Sequence, residues 1–187
     1  MEINVILDRI YTLPPSSKDS LTGAIDEVKY MKGYHLLNAN TVERNIYFIK
    51  KGIVRAYTDI TNGEITFWFG KEGDTVVSMK SYVANQKGYE TVELLEDCLL
   101  YELNMKALNC LFCKDIHIAN WGRKFAEQEL LKTEERLIAR QFKSASERYE
   151  ELLKNNSELL KRIQLSHIAS YLGITQVSLS RIRANLK

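Results

Sequence analysis

The apolar positions of this chain change their period twice. Residues 1–12 set Val5, Ile6 and Ile10, with Leu13 just beyond, on one side of a short helix that Pro14 and Pro15 stop. Residues 16–26 predict another helical turn, opened by Ser16 or Ser17. From residue 28 to residue 103, short apolar segments alternate with polar ones between glycine and asparagine turns. Segments 34–37, 45–50, 52–59, 64–70, 91–95 and 98–103 read as strands. Thr61-Asn62-Gly63-Glu64 is a hairpin turn, because Asn-Gly favours type I′ geometry. Lys71-Glu72-Gly73-Asp74 is a second turn. Residues 75–90 are less regular and hold either a short helix or a loop. So many short strands at this spacing predict an antiparallel barrel or sandwich.

Residues 115–143 return to helical period, with no proline and one glycine. Ile118, Trp121 and Phe125 open an apolar band that Leu130, Leu131, Leu137, Ile138 and Phe142 continue. A straight helix of that length spans roughly 43 Å. This exceeds the cover a small barrel needs, so part of the band is expected to meet a second copy of the chain. Ile118, Trp121 and Phe125 are assigned to that dimer contact; the alternative is a helix packed only on its own barrel. Ser144 and Ser146 offer a hinge and a cap. A helix follows to Leu153, Asn155-Asn156 ends it, and 157–163 form a further short helix or turn.

Residues 165–185, LSHIASYLGITQVSLSRIRAN, predict two short helices around a glycine. Ile168, Ala169 and Leu172 share one face of the first. Gly173 breaks it, and Thr175 caps the second with its hydroxyl. Leu179 and Ile182 point back at the first helix. This is a helix-turn-helix pattern, whose second helix lies in a DNA major groove in the proteins that use it to read DNA. Gln176, Ser180, Arg181 and Arg183 stand on its outer face as donors for base edges or phosphates. A small helical bundle with solvated arginines has the same pattern.

Charge favours the first reading. Residues 136–187 hold ten Lys/Arg against four Asp/Glu, a net of +6, which leaves −4 for the rest of a chain whose total is +2. The N-terminus lacks a basic segment followed by an apolar run, and no apolar stretch approaches the ~20 residues of a membrane span. A cytoplasmic protein without membrane contact is expected. Cys110 and Cys113 form a CxxC with no second pair, and His35, His117 and His167 lie far apart, so no metal is expected and the thiols should be reduced.

Several stretches resemble the Crp/Fnr transcription regulators, in particular the branch common in Bacteroidetes. They are YFIKKGIVRAY at 47–57, Gly73-Asp74, TVELLEDCLLYELN at 91–104, ERYEELL at 147–153 and IASYLGITQVSLSRIR at 168–183. The resemblance implies an α+β chain in three parts. Residues 1–114 would form a cyclic-nucleotide-binding-like antiparallel β-barrel (a double-stranded β-helix), 115–143 a dimerisation helix, and 144–187 the helix-turn-helix. It implies double-stranded DNA and a second copy as partners, with RNA polymerase a further one, and no enzymatic activity. It also implies base reading by residues just after the cap of the second helix and by an arginine further on: Thr175, Gln176, Val177, Ser180 and Arg181, with Arg183 and Lys187 near phosphates. Position 177 departs from the family, where glutamate is frequent and accepts from a cytosine amino group; Val177 can only touch a thymine methyl.

The resemblance weakens at the effector site. Cyclic-nucleotide binders carry Gly-Glu shortly after the Gly-Asp turn and an Arg-Ser pair about ten residues later. Here Val77-Ser78 and Tyr89-Glu90-Thr91 stand there, and no arginine lies between 56 and 122. Glu90 would repel a phosphate, so cyclic AMP is not expected to bind. An effector pocket for another small molecule would use Phe67, Trp68, Ser78, Tyr82, Tyr89 and Glu90; the aromatics among them read equally well as plain core. Two other functions remain. A cupin-like enzyme would need a metal cluster, and the barrel offers only His35. A sensor acting through protein contacts would carry a degenerate helix-turn-helix.

Overall fold

The computed structural model describes residues 1–61 and 63–185. Asn62, at the predicted hairpin turn, and Lys187, expected near phosphates, lie outside the described residues.

Two short helices open the chain, α1 (Ile3–Ile10) and α2 (Pro15–Thr22). Pro15 sits at the start of α2, where its missing N–H is no loss. Among the described residues eight strands follow: β1 (Ile25–Tyr30), β2 (His35–Leu37), β3 (Asn45–Lys51), β4 (Val54–Ile60), β5 (Gly63–Gly70), β6 (Thr75–Val76), β7 (Thr91–Leu94) and β8 (Cys98–Asn104). Helix α3 (Met79–Ala84) interrupts them. The strands form two four-stranded sheets, β1-β8-β3-β6 and β2-β7-β4-β5, with every pairing antiparallel. Leu37, Ile49, Val54, Val92, Leu94 and Leu100 fill the space between them. Cys98 joins that core, and burial pushes its thiol up to about 12, so it packs as an apolar group.

Helix α4 (Met105–Lys114) leaves β8 under a cap from Asn104, whose side chain accepts from the N–H groups of Lys106 and Ala107. Asp115 then caps α5 (Ile116–Phe142) in the same way. Strand β3 explains the layering. Its Ile46, Tyr47, Phe48 and Ile49 are all buried, with Tyr47 and Ile49 facing the inter-sheet core. Ile46 and Phe48 face a second core built from α1, α2, α4 and α5.

That second core corrects the assignment of the dimer residues. Ile118 and Trp121 are 0% exposed and Phe125 is 1% exposed within a single chain. Trp121 stacks on Phe125 with centroids 5.8 Å apart and donates from its indole N–H to the Leu7 carbonyl at 3.1 Å. They bind α5 to its own barrel and have no surface to offer a partner. The unpartnered part of the band lies further along α5.

Helix α6 (Ala145–Arg162) begins after Lys143 leaves helical geometry, and it kinks at Asn156 (φ −145°, ψ 41°), where the Asn-Asn pair predicted an end. Its cap is Ser144. The Ser144 hydroxyl accepts from Glu147 N at 3.2 Å, and the Glu147 carboxylate accepts from Ser144 N at 2.7 Å. This reciprocal pair fixes where the C-terminal unit departs from α5. Ser144→Ala should cost about 1 kcal/mol, a fall in Tm of about 2–4 °C for a chain of this size, read by thermal denaturation.

Candidate nucleic-acid interface and effector cavity

The last two helices are α7 (Leu165–Leu172) and α8 (Gln176–Asn185). Gly173 joins them at φ +67°, and its amide and that of Ile174 bond back to Ser170 and Ala169. Only glycine takes that conformation without a Cβ penalty. Thr175 Oγ1 accepts from Ser178 N at 3.1 Å, the predicted cap. Ile168, Ala169, Leu172 and Leu179 are buried, packed with Tyr149, Leu152, Leu159 and Ile163 of the preceding segment. With that inner face committed, α8 turns its other side outward. Thr175, Gln176, Val177, Ser180, Arg181 and Arg183 are all exposed, Val177 at 63%. All but Val177 are polar, and Arg181 and Arg183 bring two guanidinium groups to the solvent.

The helix pair is seated against the edge of the second sheet. Ser170 Oγ accepts from Thr66 N at 2.9 Å and donates to the Glu64 carbonyl at 2.9 Å, so one hydroxyl occupies two backbone positions of edge strand β5. Tyr171 packs on Phe69 at 5.4 Å between centroids. Arg162 donates to Glu72 at 2.9 Å and pairs also with Glu96. Burial alone would raise the Glu72 carboxyl, but the Arg162 hydrogen bond and the Gly52 N–H hold it down at about 2. Arg148 donates to the Leu172 carbonyl at 2.6 Å and to the Arg140 carbonyl at 3.2 Å, which ties the end of α7 to the end of α5.

Beside this seam lies a cavity of about 340 Å³ lined by Arg55, Glu64, Glu93, Arg162 and His167, among others. Arg55 is 4% exposed. It pairs with Glu64 at 2.6 Å and with Glu93 at 2.7 Å, the second contact bent away from hydrogen-bond geometry. Its guanidinium lies 4.1 Å from the Tyr57 ring centroid. His167 Nδ1 is buried without a partner among the described residues. Burial and then the Arg55 charge lower the His167 pKa, against the opposing pull of Glu93 and Glu64. The neutral imidazole is therefore the form that fits the seam. Below the ordinary value of 6.5 the free side chain binds a proton that the seated one resists. The seam is thus at full strength above that pH and weakens as pH falls through the lower seated value. The Glu72 contribution follows only between about 4.5 and about 2. A Tm measured from pH 7.5 to 5.5 should fall, and His167→Gln should flatten the slope.

The sequence pattern did not reveal this seam. The signal available was Arg55, a charge inside an apolar strand, opposite Glu93 in the register of β4 and β7. Arg55 and Tyr57 are both buried, with Arg55 lining the same cavity as His167 of α7.

A larger cavity of about 910 Å³ lies between the barrel, α5 and α6. Four of the six predicted effector residues line it: Phe67, Trp68, Tyr89 and Glu90. The Phe67 and Tyr89 rings face each other at 5.9 Å. Tyr82 does not line it; its ring meets Phe125 edge-on at 5.8 Å in the helical core. Ser78 does not line it either. It is 0% exposed, tucked behind Gly88, and its hydroxyl has no partner among the described residues. Sequence reasoning missed the opposite wall: Arg136, Leu137 and Arg140 of α5, Leu152 and Leu159 of α6, and Tyr171 of α7. The cavity is therefore shared between the barrel and the helix-turn-helix unit. Among the described residues no three His, Cys, Asp or Glu side chains gather as a metal site, and no helix is long and apolar enough to cross a membrane.

Residues 27–115 match the cyclic nucleotide-binding domain family. No curated protein sequence is a match. Among solved structures, FixK2 from Bradyrhizobium japonicum is similar with a TM-score of 0.71 at 20% identity, covering 87% of this chain and 84% of that one. A transcriptional regulator from Eubacterium rectale, assigned to the Crp/Fnr family, gives 0.73 at 17% identity, covering 92% and 83%. The catabolite activator protein of Thermus thermophilus gives 0.60 at 19%, covering 97% and 86%. Residues 27–115 are thus similar to a cyclic nucleotide-binding domain, and the chain shares the α+β fold of these three proteins, from barrel to helix-turn-helix.

Proposed function

We propose that this chain is a homodimeric, sequence-specific DNA-binding transcription regulator of the Crp/Fnr type that does not respond to cyclic AMP. The observation that carries the reading is the outer face of α8. A helix whose apolar side is fully used against α7 leaves Gln176, Val177, Ser180, Arg181 and Arg183 exposed together. Four of these five are hydrogen-bond donors of the kind a recognition helix presents to a major groove. In this reading Arg181 takes guanine, Val177 takes a thymine methyl, and Arg183 neutralises phosphate.

The chain divides as barrel (1–114), dimerisation helix (115–143) and DNA-binding unit (144–187). The apolar side chains left open on α5 support the dimer: Leu130, Leu131, Leu137, Ile138 and Phe142 are 71%, 55%, 63%, 48% and 75% exposed. Two chains joined there present two recognition helices to successive major grooves, about 34 Å apart. The shared cavity supplies the regulation. An occupant touches the barrel and α6–α7 at once, so filling it changes the seating of the reader and the spacing of the pair.

The test is selection of bound sites from random duplex DNA. A palindromic motif is the expected result. Unselective pools at low salt would overturn the reading in favour of a sensor that acts through protein contacts.

A further inference from the structure

The larger cavity has a chemical polarity of its own. Its barrel wall is aromatic, with Phe67, Trp68 and Tyr89, and Glu90, only 8% exposed, lines the same space. Among the described residues the one bond its carboxylate accepts is the Tyr89 N–H, at 3.0 Å through Oε2. Glu90 makes no ion pair among those residues, although Lys80 and Arg136 line the same space. The Ser78 hydroxyl, at 0% exposure, has no partner either.

Gly88 shows how these oxygens are arranged. A Cβ placed on it would lie 2.6 Å from Ser78 Oγ and 2.9 Å from Glu90 Oε1. Ser78 Oγ and Glu90 Oε1 are therefore both packed closely against Gly88, where a side chain would collide with them. Of the two, Glu90 is the one that lines the cavity, a carboxylate out of bulk water that is short of a donor. A buried carboxylate with a single hydrogen bond is an unfavourable arrangement that an incoming N–H group relieves. Anions meet the opposite situation, since a phosphate brought to Glu90 adds a second negative charge in a poorly solvated place.

We propose that this cavity receives an aromatic amine, a planar ring with an amino or ammonium group, and rejects cyclic nucleotides. The ring lies between Phe67, Trp68 and Tyr89, and the amine donates to the Glu90 carboxylate. A cation there also gains from the aromatic faces. The inference rests on the reading of the cavity as the regulator's effector site and names its ligand class.

Isothermal titration of the full chain with two probes of similar shape tests it: tryptamine and indole-3-acetate, with cyclic AMP as a third. Tryptamine should bind saturably and at least tenfold more tightly than either anion. Glu90→Gln, which keeps an acceptor for the Tyr89 N–H, should weaken tryptamine at least tenfold. Phe67→Leu removes one aromatic face of the cavity and should weaken it severalfold; it stands as the second variant should the first melt early. Equal or tighter binding of indole-3-acetate or cyclic AMP overturns the proposal. So does tryptamine binding that neither variant weakens, or an absence of saturable tryptamine binding. DNA-site selection separates the two readings. A chain that selects a palindrome but fails with tryptamine loses only the ligand class, and one that binds tryptamine without selecting DNA loses only the regulator assignment.

Discussion

Leu130→Glu combined with Leu137→Glu should convert the protein to a monomer and reduce its affinity for a two-half-site DNA by about 10²–10⁴-fold. Both leucines are mostly solvent-exposed in the single chain, at 71% and 63%, and they stand seven residues apart on α5. A seven-residue repeat keeps side chains on one seam of a paired helix. Leu131 and Ile138 repeat the spacing, and Phe142 extends it by one turn. Burying a leucine contributes about 1.5–3 kcal/mol, and each substitution counts twice in a symmetric dimer. The glutamates also set like charges against one another across the seam. DNA affinity falls because a dimer binds its second half-site intramolecularly, and that gain of about 10²–10⁴ is lost with the tether. Sedimentation and light scattering measure the first effect, and titration of a palindromic duplex measures the second. A double variant that stays dimeric would place the interface elsewhere. Ala at Trp121 or Phe125 should act differently, lowering the melting temperature by disrupting the chain's own core.

These two sets of residues show where the sequence was legible and where it was not. The period of α5 is continuous from Ile118 to Phe142, so the pattern predicts one apolar band and cannot say what covers each part. The division comes from α1 and α2, which lie over the first half of the helix and are distant in sequence. Strands with buried faces were legible, because Ile46 to Ile49 admit no other reading. Strand β1 was missed. Asp26, Glu27 and Lys29 hide it, since it needs only its backbone to pair with β8 at an edge. Helix α4 was missed as well; Cys110 and Cys113 lie exposed on it, an ordinary helix capped by Asn104.

The candidate site divides in the same manner. Gly173 and the Thr175 cap act through neighbours in sequence, so their roles could be read directly. The effector wall could not be read that way. Arg136, Leu152 and Tyr171 reach the cavity only because α7 docks on β5, a contact made by Ser170 across about a hundred positions of chain. Ser78 and Tyr82 were misplaced for a related reason. Both belong near the cavity by sequence, but one turn of α3 points Tyr82 into the helical core, and Gly88 stands in front of Ser78.

Arg181→Ala should abolish the guanine preference at one position of each half-site while leaving the fold intact. Arg181 is exposed on α8, and the buried packing of that helix runs through Leu179. Truncating Arg181 therefore removes no core contact. A guanidinium bound to guanine O6 and N7 contributes about 1–3 kcal/mol of discrimination. A palindrome is read twice, so the expected loss on the full site is about 2–6 kcal/mol, or about 30-fold to 10⁴-fold. The loss should be confined to sites with the selected base, with affinity for unrelated duplexes nearly unchanged. Salt dependence makes the distinction sharper. Base contacts release few counterions, so the slope of log K against log salt should stay close to wild type in Arg181→Ala. Arg183→Ala, read as a phosphate contact, should flatten that slope by about one unit per half-site and weaken all sequences alike. If Arg181→Ala instead weakens every duplex equally and flattens the slope, the arginine contacts phosphate, and base reading must rest on Gln176, Val177 and Ser180 alone. A helix that reads with those three has one amide, one methyl pair and one hydroxyl to offer. Its motif would then be short, tolerant of guanine replacement and weighted toward adenine and thymine.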